Sequence, residues 1–177
     1  MAELVYLSLG SNIADRENHL RDAIHRLEAI GRLCALSSIY ETEPVEFTDQ
    51  AWFLNCAVAL ETHAPPTDLM HQLLEIEQAM GRKRIQKKGP RTIDIDILLC
   101  GDLVVNTPEL TIPHPAMAER RFVLEPLAEI APEARHPISK KTMRELLDEL
   151  PAGQLVRKIN VEANDQRPTI NDGSKAK

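Results

Sequence analysis

The chain has 177 residues, 43% of them hydrophobic and 27% charged, with 27 acidic side chains against 21 basic ones and a formal net charge of -6. That length suits one domain with one core, and the apolar content excludes a disordered chain. The net acidity excludes a protein held to nucleic acid by a general positive field.

The elements follow in order. Residues 4–9 form an apolar strand that ends in the turn Gly10-Ser11-Asn12. Asp15 can cap a helix whose apolar positions Leu20, Ala23, Ile24, Leu27 and Ile30 keep helical spacing, with Gly31 as the stop. Residues 33–40 read as a second strand, and the polar stretch 41–51 is long enough to be a functional loop. Residues 53–60 make a third strand. Pro65-Pro66-Thr67 opens a second helix with Leu69, Leu73, Ile76 and Met80 inward, closed by Gly81. A basic segment follows, then a fourth strand over 92–100. This β-α-β-β-α-β order is the ferredoxin-like α+β arrangement, an antiparallel sheet with both helices on one face. A mixed α/β addition extends it: a turn at Gly101-Asp102, short extended pieces at 103–105 and 109–112, the rigid Pro113-His114-Pro115, and helices over 121–130 and 142–150. Residues 1–161 are expected to form one domain, and the polar tail 162–177 to be disordered.

Further exclusions narrow the class. No apolar stretch approaches the roughly 20 residues of a membrane helix, and the amino terminus carries no signal-peptide pattern. Cys34, Cys56 and Cys100 sit far apart in apolar runs, make no metal-ligand or redox pair, and read as buried reduced thiols of a cytoplasmic protein. The six aromatic residues offer little platform for stacking bases. No Walker A pattern, Gly-x-Gly-x-x-Gly turn or nucleophile elbow is present.

The charge is unevenly spread. Six of the ten residues from Arg82 to Arg91 are basic, no acid occurs from Gln78 to Ile93, and the other 15 bases face all 27 acids. Such a segment in an acidic chain points to an anionic ligand. Arg82, Arg84 and Arg91 are the better phosphate ligands, because guanidinium forks onto phosphate oxygens and stays charged. Lys83, Lys87 and Lys88 read as solvated surface. The adjoining strand, Thr92-Ile93-Asp94-Ile95-Asp96-Ile97, sends its isoleucines to one face and Asp94 with Asp96 to the other. Carboxylates about 7 Å apart along a strand repel unless a cation joins them. Two acids for a hard cation beside bases for phosphates is the layout of metal-assisted phosphoryl transfer. On the third strand Phe53 and Asn55 share a face with Ala57 and Ala59, a flat floor for a ring with one polar reader. His114, held between two prolines, is placed for a ligand contact, while Arg120 and Arg121 stay ambiguous.

Those motifs together resemble one family. Lys88-Gly89-Pro90-Arg91-Thr92-Ile93-Asp94-Ile95-Asp96-Ile97-Leu98 is similar to the signature of the 6-hydroxymethyl-7,8-dihydropterin pyrophosphokinases of folate biosynthesis. Leu9-Gly10-Ser11-Asn12, Phe53-Leu54-Asn55, Glu77 with Gly81-Arg82, Pro113-His114-Pro115 and Arg120-Arg121-Phe122 follow in the same order, over Tyr6 to about Leu150. The resemblance implies transfer of the β,γ-pyrophosphoryl unit of ATP to a pterin hydroxymethyl group, with release of AMP. It implies that Asp94 and Asp96 bind two magnesium ions and that Arg82 and Arg91 stabilise the transferring group. It also implies ATP contacts at Glu77, Arg84, Ile97, Thr111, His114 and Arg120. Pterin contacts are implied at Thr42, Val45, Phe53, Asn55 and Phe122. Lys88 stands where many members have Trp, and Glu109 where Arg is common. The partners expected are the two small substrates, ATP and hydroxymethyldihydropterin, bound by a monomer without nucleic acid or membrane. A non-catalytic ligand sensor of the same fold is the alternative, and AMP production separates the two.

Overall fold

The computed structural model describes residues 1–44, 49–81 and 91–159. Strand β1 (Glu3–Ser11) runs through the middle of a six-stranded antiparallel sheet. β5 (Asp94–Cys100) pairs with one edge of β1, and β4 (Phe53–Thr62) with the other. The far edge of β4 takes two short strands in series, β2 (Arg32–Leu36) and β3 (Ile39–Thr42). The single strand expected over 33–40 is therefore broken at Ser37-Ser38. The cause is local: Ser37 Oγ accepts the Ala57 N–H at 2.8 Å, and its own N–H donates to the Ala57 carbonyl at 2.9 Å.

Alternation decides what each face meets. Val5, Leu7 and Leu9 of β1, with Leu54, Cys56, Val58 and Leu60 of β4, point into one core. Helix α1 (Arg16–Leu27) covers it with Leu20, Ala23 and Leu27, and α2 (Pro66–Ala79) with Leu69, Leu73 and Ile76. Both helices lie on the expected face, and each fully buried Leu or Val is worth about 1.5–3 kcal/mol. The Asp15 side chain accepts the Asn18 N–H, as the capping pattern requires.

The other face is covered by the carboxyl-terminal addition. After the short β6 (Val105–Asn106) and β7 (Thr111–Ile112) pair, helices α3 (Arg121–Ile130) and α4 (Met143–Glu149) pack Val123, Leu124, Leu127, Met143 and Leu146 against Ala57, Leu98 and Leu99. Leu98 and Leu99 share that face because the β1–β5 register slips between Tyr6 and Leu7, leaving Leu98 as an extra residue. A final strand not anticipated from the sequence, β8 (Val156–Ile159), pairs with β3. The expected disorder of 162–177 lies outside the described residues.

One expectation is corrected. Cys56 and Cys100 are buried free thiols, but Cys34 is exposed. β2 turns Leu33 and Ala35 inward, so its alternation sends Arg32, Cys34 and Leu36 outward. Burial pushes the Cys56 thiol up to about 12, which keeps it protonated and unreactive. No helix among the described residues is long and apolar enough to cross a membrane.

Candidate active site

The site begins at the end of β1. Gly10 pairs with Asn55 on one side and Asp94 on the other, and Ser8 pairs with Ala57 and Asp96. The backbone thus sets the amide of Asn55 and the two carboxylates in adjacent rows on one face. Glycine leaves room for the amide there: a Cβ at residue 10 would stand 2.7 Å from Asn55 Oδ1 and push that side chain aside. Asn55 is buried and donates from Nδ2 to Thr42 Oγ1, which fixes its Oδ1 toward the Gly10 side.

Arg91 ties the carboxylates to the aromatic floor. Its Nη1 donates to Asp94 Oδ2 at 2.7 Å, and its guanidinium carbon lies 5.8 Å from the Phe53 ring centre. The backbone of Arg91 is held by Asn12, a buried residue that the sequence placed only in a turn. Asn12 Oδ1 accepts the Arg91 N–H at 2.8 Å, and Asn12 N–H donates to the Arg91 carbonyl at 3.2 Å. From Nδ2 the same side chain donates to Gln50 Oε1 at 2.8 Å and to the Ala51 carbonyl at 3.1 Å.

Beside the carboxylates a cleft of about 590 Å³ opens between α2, β5 and β7. Glu77, Asp94, Asp96, Ile97, Thr111 and His114 all line it, so the structure brings these expected residues together. Ile97 is nearly buried, and its side chain is shared between the cleft and the core. Glu77 is also buried, and its Oε1 accepts the Ile95 N–H at 2.8 Å, bracing α2 against β5. Met70, His71, Leu74 and Glu109 complete the walls. Sequence reading assigned no ligand role to the first three; the inward helical stripe predicted for α2 hid the neighbouring positions that face the cleft.

His114 is anchored by the bulge in β5, where its N–H donates to the Leu98 carbonyl at 3.0 Å. Its Nδ1 accepts the Ala116 N–H at 3.2 Å, so the neutral ring carries its proton on Nε2. Burial, and then the positive charge of Arg120, lower its pKa below that of an ordinary histidine despite the opposing pull of Asp94. The Arg120 guanidinium carbon lies 5.6 Å from the Phe122 ring centre. Arg121 turns away, donating to Glu125 and to the Leu150 carbonyl. Val45, Arg82 and Arg84 lie outside the described residues.

The pair Asp94 and Asp96 suits magnesium. Among the described residues no group of three or more His, Cys, Asp and Glu side chains comes together as a metal cage. Magnesium does not need one, since it is commonly held by one or two carboxylates plus substrate phosphates. Carboxylates beside an open cleft, one of them bonded by the Arg91 guanidinium, have the charge layout a metal-bound polyphosphate would need.

The profile of the family described as 7,8-dihydro-6-hydroxymethylpterin-pyrophosphokinase (HPPK) matches residues 6–132. The chain is 48% identical over 132 residues to the 2-amino-4-hydroxy-6-hydroxymethyldihydropteridine pyrophosphokinase of Bacillus subtilis, covering 73% of this chain and 79% of that one. It is 46% identical over 151 residues to the protein of the same name in Methylorubrum extorquens, covering 84% and 94%. The folic acid synthesis protein fol1 of Schizosaccharomyces pombe is 42% identical over 153 residues, covering 85% of this chain; the chain spans 21% of that longer protein. In fold, the chain is similar to wild-type Plasmodium falciparum HPPK-DHPS, with a TM-score of 0.68 at 17% identity, over 84% of this chain and 44% of that one.

Proposed function

The chain belongs to the 7,8-dihydro-6-hydroxymethylpterin-pyrophosphokinase family, and on that premise we propose that it transfers pyrophosphate from ATP to 6-hydroxymethyl-7,8-dihydropterin in folate synthesis. The single observation that carries this reading is the row Asn55, Gly10, Asp94, in which an amide and a carboxylate flank one glycine across three strands.

The hydroxymethyl oxygen forms a bond to the β-phosphorus while the bond from that phosphorus to the α-bridging oxygen breaks. AMP leaves, and the hydroxyl proton passes to solvent. Positioning and charge neutralisation supply most of the rate. Asp94 and Asp96 would hold two magnesium ions, which neutralise the triphosphate when bound. Arg91 and Arg82 oppose the charge that develops on the transferring group. Glu77, Arg84, Ile97, Thr111, His114 and Arg120 hold ATP, His114 offering its Nε2 proton to phosphate. Phe53 and Phe122 take the pterin ring between them, Asn55 reads its edge, and Thr42 and Val45 close the pocket. The cation–aromatic pairs of Arg91 with Phe53 and Arg120 with Phe122 support this arrangement, because each joins a phosphate-binding group to a ring wall.

The enzyme acts as a monomer in the cytoplasm, on small molecules alone. Three free cysteines support a reducing compartment. Phosphorus NMR of the reaction mixture tests the chemistry. AMP and a pterin diphosphate ester are expected; ADP or orthophosphate as the product would contradict pyrophosphoryl transfer.

A further inference from the structure

Gln154 lies beyond residue 132, where the family match ends, yet it bonds to Glu43, next to Thr42, and to Phe122, and the functional reading puts Thr42 and Phe122 at the pterin. Its Nε2 donates to the Glu43 carbonyl at 2.9 Å, and its Oε1 accepts the Phe122 N–H at 3.3 Å. Glu43 directly follows Thr42, whose hydroxyl holds Asn55. Phe122 stands in the first turn of α3, where the backbone N–H has no partner within the helix, and Arg120 at the helix start supplies no side-chain cap. One half-buried amide therefore spans from the strand end that fixes Asn55 to the helix start that carries Phe122.

The neighbouring backbone keeps this bridge short. Glu43 N–H donates to the Leu155 carbonyl at 3.2 Å, and Leu155 N–H donates to Glu43 Oε1 at 2.8 Å. Thr42 then pairs with Val156 as β8 joins β3. Among the uncharged amide side chains, only Gln or Asn offers a donor and an acceptor from one group, and Gln has the longer reach.

We propose that Gln154 is a positioning residue that sets the separation between Thr42 and Phe122, and so the width of the pterin pocket. This inference rests on the functional reading above. It gives the segment after α4 a part in substrate selection, although no side chain of that segment need touch the ring.

Two substitutions separate bridging from simple helix capping. Gln154→Glu keeps an acceptor for the Phe122 N–H but turns a carboxylate toward the Glu43 carbonyl. Gln154→Leu removes both bonds at similar volume. Steady-state AMP release should show KM for hydroxymethyldihydropterin rising about 5-fold or more in both variants, as loss of one hydrogen bond at a binding site allows. The KM for ATP and kcat should stay within about 2-fold, since neither bond of the amide reaches the cleft. Q154E with an unchanged pterin KM overturns the bridge and leaves capping alone, and equal rises in both KM values overturn it in favour of general disruption. If Q154L fails to fold, Q154E decides the matter by itself. Absence of pterin-dependent AMP in the unsubstituted enzyme overturns the functional reading and the bridge with it, an outcome distinct from either variant result.

Discussion

Asn12 and Arg91 exchange two hydrogen bonds, the Arg91 N–H to Asn12 Oδ1 at 2.8 Å and the Asn12 N–H to the Arg91 carbonyl at 3.2 Å. Residues 79 positions apart are thereby locked side by side. Because the Asn12 amide also holds Gln50 and Ala51, one buried side chain ties both to Arg91. Arg91 can then aim at Asp94 without searching for its position.

Asn12→Ala should therefore damage stability and activity together. It removes the acceptor of the part-buried Arg91 N–H, at a cost of about 1–3 kcal/mol, while the exposed Ala51 carbonyl can turn to water. Denaturant unfolding should show that loss, and kcat should fall because Arg91 loses its anchor. A variant with unchanged stability would contradict the tie.

Gly10→Ala should spare the fold and injure binding of the ring. The added Cβ meets the end of a flexible side chain, Asn55 Oδ1, which can swing away only by giving up its bond to Thr42. Calorimetry should find Tm lowered by the loss of that one buried bond, while KM for the pterin rises about 10-fold, equivalent to about 1.4 kcal/mol. A rise confined to the KM for ATP would place the residue wrongly.

Acid sensitivity should come from Glu41 of β3 and Glu129 of α3. Burial alone would raise the pKa of Glu41, but bonds from Arg157 and Arg16 outweigh it and hold the group below the usual carboxylate range. Burial also opposes the lowering at Glu129, where Tyr40, the Ser38 hydroxyl and the Ser38 N–H prevail. A carboxylate depressed in the folded state contributes stability that is complete above its unfolded pKa, near pH 4.3, and is lost as pH falls through the folded value. Glu129→Gln should lower Tm at pH 7 and flatten its decline below about pH 4.3. Parallel Tm curves for variant and parent would contradict this source of acid unfolding.

Much of the fold was legible because periodicity carries it. The isoleucines of β5 and the apolar stripes of α1 and α2 pointed to their faces, and the same alternation put Asp94 and Asp96 beside Asn55. What escaped reading lacks a period. The break at Ser37-Ser38 interrupts an otherwise apolar run through the bonds that Ser37 exchanges with Ala57. β8 is short and half charged, and gains its place by pairing with β3 and packing Ile159 on the core. Asn12 and Gln154 act through amides whose partners lie far away in sequence, and nothing local announces such bonds. The Gly10-Ser11-Asn12 turn after a buried strand was the available signal for Asn12, and Gln154 offered none.

The central claim is that the row of carboxylates beside Asn55 runs pyrophosphoryl transfer, and one assay tests it most directly. AMP formation from ATP and magnesium is followed with and without hydroxymethyldihydropterin, for the parent enzyme and for Asp96→Asn, which keeps the side-chain shape and removes its charge. Pterin-dependent AMP release is expected from the parent, with a loss of at least about 100-fold in the variant while its Tm is retained. AMP release that ignores the pterin, or full activity in Asp96→Asn, would contradict the account.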